Sequence, residues 1–330
     1  DADLRTSTVK DHGKRAGIAV EDLESGARID VSEQKEDPLD FALWKGVKPG
    51  EPSWPSPWGD GRPGWHIECS AMVKKYLGDT IDIHCGGQDL IFPHHENEIA
   101  QSECCNGAPF SRYWMHNGYI NVDNQKMSKS LNNFFTVREI AEKYGYMPIR
   151  YFLLASHYRS PINFSKDSIE QSKAALERIF TCADGLAFFL RNAPSESLRE
   201  NEKQTVADFE NCRAAMIEAM DDDLNTGNGI SCIHDLIRLL NSAMNAATPA
   251  SSACIAKGKE IFDDMTSLFG FVKEENKDYS FVKMIEEAIE ARKAAKKAKN
   301  YAEADRIRSE LAQKGVTLED TPQGTKYKIN

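Results

Sequence analysis

Cys69, His94 and Glu98 offer a thiolate, an imidazole nitrogen and a carboxylate oxygen, the donor set of a protein zinc site. The segment Pro93-His94-His95-Glu96-Asn97-Glu98 reads as the start of a helix with Pro93 in its first turn. His94 and Glu98 then stand one turn apart on one face, so two donors converge on one point. Between Cys69 and His94, the run Thr80-Ile81-Asp82-Ile83-His84 followed by Cys85-Gly86-Gly87 reads as a buried strand ending in a glycine turn. A second group with chemical potential is Lys126-Met127-Ser128-Lys129-Ser130, followed by Asn132 and Asn133. Two lysines among small polar residues can wrap a polyphosphate and offset its growing negative charge. A solvated surface turn is the competing reading of those five residues taken alone.

The elements that must position these groups follow from periodicity and punctuation. Ala27-Arg28-Ile29-Asp30-Val31 and Phe41-Ala42-Leu43-Trp44-Lys45 are strand-like pieces in a mixed, charged start to the chain. From Gly50 to Gly64 the chain is dense in Pro, Gly and Trp, which fits a stiff loop and neither helix nor strand. A helix follows over 65–77, with Ile67, Met72, Val73 and Leu77 as its apolar positions. Strand, glycine turn and helix then alternate through residue 105, and Tyr119-Ile120-Asn121-Val122 is a further strand. That alternation predicts an α/β layer with parallel strands, whose ligands sit at the carboxyl ends of strands, where Gly86 and Gly87 fall.

After Ser130 the pattern becomes helical. Thr136 with Glu139 is a capping-box signature for a helix through Lys143, and Pro148 opens the next one. A long amphipathic helix starts after Ser165, and three more are centred on Phe209 to Met220, Ile230 to Met244 and Ile261 to Phe269. The charged stretch Lys273 to Asp278 separates a small final unit. There Met284, Ile285, Ala288 and Ile289 face inward, while Arg292, Lys293, Lys296, Lys297 and Lys299 form a basic cluster at the helix end. A helix over Tyr301 to Gln313, a stop at Gly315, and a hairpin around Pro322-Gln323-Gly324 complete it. The fold class is thus α/β plus all-α.

At 330 residues, 41% hydrophobic and 28% charged, the chain is a multidomain globular protein. It has no run apolar enough for a membrane helix and no signal-peptide core after Asp1, which predicts a cytoplasmic location. Eight cysteines in so long a chain are not a disulfide scaffold, so reduced and mostly buried thiols are expected. The net charge of −10 argues against a general nucleic-acid coat protein and leaves room for a local basic face.

The residues quoted above resemble one family closely. Lys126-Met127-Ser128-Lys129-Ser130 is similar to the second signature of class I aminoacyl-tRNA synthetases. Gly64-Trp65-His66-Ile67-Glu68-Cys69-Ser70-Ala71-Met72 and Phe92-Pro93-His94-His95-Glu96-Asn97-Glu98 resemble the cysteinyl member. The likeness extends through Arg150-Tyr151-Phe152-Leu153, Asp221-Asp222-Asp223-Leu224-Asn225-Thr226 and the stretch from Leu318 to Thr325, while the first 26 residues match poorly. The resemblance implies ATP-dependent activation of L-cysteine to cysteinyl-adenylate and transfer to tRNA(Cys). It implies one zinc ion per chain, held in part by Cys69, His94 and Glu98 and binding the substrate thiolate. Trp65, His84 and His95 would line the cysteine pocket; Gly86, Gly87 and Asp89 would accept adenosine. Lys126 and Lys129 would contact the phosphates of ATP, supplied with magnesium, with Met127, Ser128 and Ser130 completing the loop.

The same resemblance implies a second half of a Rossmann-type nucleotide-binding domain, a helical bundle and a small α+β C-terminal unit. On it, residues 1–58 are the remnant of a connective insertion, and 59–130 are catalytic. Residues 131–165 are a stem-contact linker, 166–272 a tRNA-binding bundle, and 279–330 an anticodon-recognition unit. The family's HIGH signature and a further upstream cysteine ligand do not occur in the sequence, so the chain is expected to be an N-terminally truncated monomer without activity of its own. Three other readings compete: a noncatalytic tRNA-binding fragment, a paralogous cysteine ligase acting on an amino sugar, and a zinc hydrolase with Glu96 as base. The last lacks the paired-histidine helix motif of such enzymes and leaves the lysine loop unexplained.

Overall fold

The computed structural model describes residues 1–9, 12–13, 40–127, 135–273, 279–321 and 324–329. The expected strand at Ala27–Val31, the loop residues Ser128, Lys129 and Ser130, and the linker after Lys273 lie outside the described residues, as do Pro322 and Gln323 of the hairpin turn. The chain divides into two compact units, residues 1–121 with 158–162, and residues 122–157 with 163–330.

The first unit opens with an antiparallel sheet of β1 (Ala2–Leu4), β2 (Phe41–Gly46) and β3 (Gly61–Pro63) in that order. The Pro- and Trp-rich connection is pinned from within: Trp54 and Gly61 exchange backbone hydrogen bonds of 2.7 and 3.0 Å, and Arg62 Nε donates to Glu51 Oε2 at 2.6 Å. Helix α1 (Trp65–Leu77) has the expected bounds and an unexpected orientation. Met72 and Leu77 are exposed, and the buried residue is Ser70, whose Oγ donates to Gln101 Oε1 at 2.6 Å. A small polar residue allows α1 to pack against α2 (Glu96–Asn106), whose own first turns are polar and buried.

Strands β4 (Ile81–Gly87) and β5 (Ser111–Asn117) are parallel, as the alternation predicts, with His84 beside Trp114 and Ile83 beside Tyr113. The expectation of a buried β4 is corrected: Ile83 and Cys85 are exposed, while His84, on the alternate face, packs against His95 and Trp114 and meets Glu98 of α2. β5 escaped the sequence reading, since Arg112-Tyr113-Trp114-Met115-His116 lacks a clear apolar alternation. The thiol expectation is also corrected. All eight cysteines are free, but Cys85, Cys104 and Cys105 are exposed and only Cys182 and Cys254 are buried.

β6 (Ile120–Val122) and β7 (Gln125–Lys126) are joined by Asp123 and Asn124, both with positive φ, the geometry that two-residue hairpin turns favour. α3 (Val137–Tyr144) carries the predicted capping box, with Thr136 Oγ1 accepting from Glu139 N and Glu139 accepting from Thr136 N at 2.6 Å. α4 (Tyr146–Leu154) and the short β8 (Ile162–Phe164) lead into the bundle of α5 (Lys166–Asn192), α6 (Lys203–Asp221), α7 (Thr226–Asn245) and α8 (Ser252–Phe269). Its core is Leu176, Ile179, Leu186, Ile233, Leu236 and Leu240 with Ile255 and Met265. Each such side chain contributes roughly 1.5–3 kcal/mol on burial. Gly258 sets the closest helix approach, because a Cβ there would meet Leu240 Cδ2 at 2.4 Å and Phe209 Cε2 at 2.9 Å.

The last elements are α9 (Tyr279–Lys297), α10 (Tyr301–Gln313), and the antiparallel pair β9 (Val316–Thr321) and β10 (Gly324–Ile329). They close on a core of their own, Ile285, Ile307, Leu311, Val316 and Leu318. The basic cluster is corrected here. Arg292 is buried and forms a two-pronged ion pair with Asp320, at 2.7 and 2.9 Å, and Lys296 adds a bond of 2.7 Å to the same carboxylate.

Those hydrogen bonds, from Arg292 first and Lys296 second, hold the Asp320 carboxyl well below the usual aspartate range. A depressed folded-state pKa contributes stability that is complete above the unfolded value of about 4 and is lost as pH falls toward the folded one. Asp320→Asn is therefore expected to cost about 1–2 kcal/mol at neutral pH, less than the roughly 3–5 kcal/mol of a wholly buried pair because Asp320 is 44% exposed. Hydrogen exchange of the β9 and β10 amides checks it: the variant exchanges faster at pH 7, and the difference shrinks below pH 4.

Candidate active site

Three elements of the first unit deliver the site. Helix α1 presents Trp65, His66 and Cys69 within its first two turns, β4 presents His84, and the turn into α2 presents His94, His95 and Glu98. Phe92 is extended (φ −132°, ψ 137°) and the Phe92–Pro93 bond is cis. His94, His95 and Glu98 are all buried.

Glu98 is the hinge of the arrangement. His84 Nε2–H donates to its Oε2 at 3.0 Å, and His95 Nε2 lies 4.0 Å from the same oxygen. Its Oε1 is buried without a hydrogen bond and lies 3.6 Å from His94 Nε2. Donor atoms of Cys69, His94 and Glu98 all fall within 4.8 Å of one another, and so do those of His84, His95 and Glu98. A buried carboxylate oxygen with no partner costs free energy unless a cation or donor reaches it. The first trio joins a thiol to that oxygen, and the donor set fits zinc.

The thiol's electrostatics agree. Burial raises the Cys69 pKa, and the negative charge of Glu98 raises it further, so a thiolate beside this carboxylate needs a neighbouring cation. His94 Nδ1 is 2.8 Å from His66 Nδ1, and in the tautomer that carries its proton on Nδ1 the lone pair of Nε2 faces Glu98. Trp65 is half-exposed, its ring centroid 4.5 Å from that of His94. His95 Nδ1 is 2.8 Å from His116 Nε2.

His66, Trp114 and His116 were not assigned roles by sequence reasoning. His66 had a usable signal, since the helix over 65–77 sets it beside Cys69 in the same turn. His116 and Trp114 had none while β5 went unread. A Cβ on Gly86 would meet His95 Cε1 at 2.6 Å and Nε2 at 2.8 Å, and one on Gly87 would meet Asp89 Oδ1 at 2.4 Å. Glycine here lets the imidazole and the carboxylate close on the backbone of β4. Lys126 ends β7, and Met127 follows it half-buried in the second unit. Glu96, the base of the hydrolase alternative, is buried and accepts a hydrogen bond from Gly13 N at 3.1 Å, and it joins neither candidate metal trio among the described residues.

Residues 1–174 match the family described as the tRNA synthetases class I (C) catalytic domain, and residues 215–273 match the DALR domain. A catalytic domain of that class followed by that helical domain defines a class I aminoacyl-tRNA synthetase. The chain is 53% identical over 327 residues to the cysteine–tRNA ligase of Caldicellulosiruptor saccharolyticus, covering 99% of this chain and 69% of that protein. It is 49% identical over 330 residues to that of Clostridioides difficile and 48% over 331 residues to that of Symbiobacterium thermophilum, each match covering 99% of this chain and 70% of the relative. The chain belongs to the cysteine–tRNA ligase family and is by family a ligase. The expectation that the first 26 residues match poorly is overturned, since the catalytic-domain match begins at residue 1.

Gly86→Ala is expected to unseat His95 and cost about 1–3 kcal/mol, the usual range for overpacking. A lowered unfolding midpoint of the first unit, followed by near-ultraviolet circular dichroism of its tryptophans, is the measurement.

Proposed function

We propose that this chain carries the thiol-reading site of a cytoplasmic cysteine–tRNA ligase, which activates L-cysteine with ATP and passes it to tRNA(Cys). The observation that supports this reading is the convergence of the Cys69 thiol and the His94 imidazole on the buried carboxylate of Glu98, with donor atoms within 4.8 Å of one another. On this reading Cys69, His94 and Glu98 hold zinc, with a further donor from outside these residues. A bound zinc supplies a soft Lewis acid that takes a thiol as thiolate and leaves a serine hydroxyl a poor competitor. His66 keeps His94 in the ligating tautomer, and the His84 N–H holds the Glu98 carboxylate in place. Trp65 walls the cysteine pocket, with His84 and His95 at its base.

The remaining roles extend the same reading. Gly86, Gly87 and Asp89, at the carboxyl end of a parallel strand, accept adenosine. Lys126, Met127, Ser128, Lys129 and Ser130 close on the phosphates of magnesium-bound ATP, with Lys126 and Lys129 offsetting charge as the α-phosphate is attacked. The bundle and the α9–β10 elements meet tRNA. On this reading the domain divisions at residues 58, 130, 165, 272 and 279 separate insertion, catalytic, linker, bundle and anticodon-reading parts.

Metal analysis tests the trio. Protein purified with zinc is expected to hold about one ion per chain, and Cys69→Ser with His94→Ala is expected to lose it; unchanged content in the double variant would sink the assignment. The chain contains no HIGH signature, so we expect no cysteine-dependent ATP–pyrophosphate exchange from these 330 residues by themselves, with tRNA binding that weakens steeply as salt rises. Exchange at an ordinary synthetase rate, or salt-insensitive binding, would count against this division of labour.

A further inference from the structure

Glu98 offers a donor atom to each of two trios, and the second of them, with His84 and His95, contains no sulfur. His84 Nε2 lies 3.0 Å and His95 Nε2 4.0 Å from Glu98 Oε2, and donor atoms of all three residues fall within 4.8 Å of one another. An ion held tetrahedrally by bonds of about 2.0–2.1 Å sets its ligand atoms roughly 3.4 Å apart. The two distances to Oε2 bracket that spacing. The shorter is a hydrogen bond, and the longer exceeds any hydrogen bond yet suits two ligands of one ion.

The surroundings hold both imidazoles in place. His95 Nδ1 is 2.8 Å from His116 Nε2, and in the tautomer in which His95 Nδ1 donates, its Nε2 lone pair faces Glu98. Support of this kind for the far nitrogen is usual for imidazoles that bind metals. Gly86 lets the His95 ring close on β4, and the rings of Trp114 and Phe110 pack on His84 with centroids 4.8 and 5.3 Å away. The side chains of Glu98 and His95 are 1% and 2% exposed and that of His84 is 17% exposed, so the cluster is shielded from water and open at one edge.

We propose that His84, His95 and Glu98 form a second binding site for a divalent cation, distinct from the trio of Cys69, His94 and Glu98 and sharing its carboxylate. Two imidazoles and a carboxylate, with water in the remaining position, are a ligand set for a borderline cation such as zinc or cobalt(II). The cation takes the place of the proton that His84 Nε2 donates to Glu98 Oε2, and His84 carries that proton on Nδ1 instead. Giving up a hydrogen bond to a carboxylate makes this the weaker of the two sites, filled when cation is in excess. The site does not depend on the first trio holding zinc. Under the proposed function it lies at the base of the cysteine pocket, which excess cation then obstructs.

The test is a cobalt(II) titration of the full 330-residue chain after removal of metal with a chelator, read by absorption spectra and by metal analysis after equilibrium dialysis. About two ions per chain are expected, one with a sulfur-to-cobalt charge-transfer band from Cys69 and a weaker one without it. Cys69→Ser with His94→Ala should lose the first and keep the second. His84→Gln, which retains an N–H for Glu98, should lose the second and keep the band; His95→Gln serves if that variant misfolds. His116→Gln should weaken the second ion about 10–100-fold and leave the band in place. A single ion without the band, lost in His84→Gln, would uphold this site and count against the first trio. Failure to find any ion that lacks the band, with cobalt in excess, would overturn the proposal. Retention of such an ion in both His84→Gln and His95→Gln would overturn it as well.

Discussion

The carboxylate of Glu98 is the constraint around which the first unit is arranged. Taking a carboxylate out of water costs several kcal/mol unless both oxygens find partners. One oxygen is satisfied by the N–H of His84, which requires β4 to end beside α2. The other faces the thiol of Cys69 and the imidazole of His94, 3.6 Å from its Nε2. Each element of the site can be understood as a way of bringing a donor to this group. Ser70 permits α1 to approach α2, and Gly86 makes room for His95.

Much of this architecture was legible in the chain because the strongest signals are local. The capping box at Thr136, the break at Gly315 and the apolar spacing of α5 to α8 fix the existence of these helices, although α6 and α8 begin at Lys203 and Ser252, well before the expected Phe209 and Ile261. The trio of Cys69, His94 and Glu98 was legible from a one-turn spacing and residue type. What escaped depends on contacts remote in sequence. β5 carries no clear alternation, and the use of its aromatic residues appears only once Trp114 and His116 pack on His95. Arg292 looked like one more lysine-rich helix end until Asp320, far along the chain, closed on it. Ile83, a strand residue of high β propensity, gave every local sign of burial and lies exposed.

The two units solve the problem of stability in different ways. In the second, aliphatic side chains from four helices interlock, and Gly258 marks where α8 meets its neighbours most closely. A separate small core joins α9, α10 and their strands, fastened by an ion pair whose arginine is buried. Such interiors are stable through their own contacts. The first unit places imidazoles and carboxylates where the second places leucine and isoleucine, which suits a site that must hold charged groups at fixed distances.

That polar interior makes occupancy and order a single equilibrium for the first unit. Any species that binds its ordered form and not its unfolded chain raises its stability by mass action, in proportion to the logarithm of its concentration. Species that bind the ordered unit then act together on one folding reaction, each lowering the concentration the others require. A unit built in this way reports the chemical state of its surroundings through how much of it is folded.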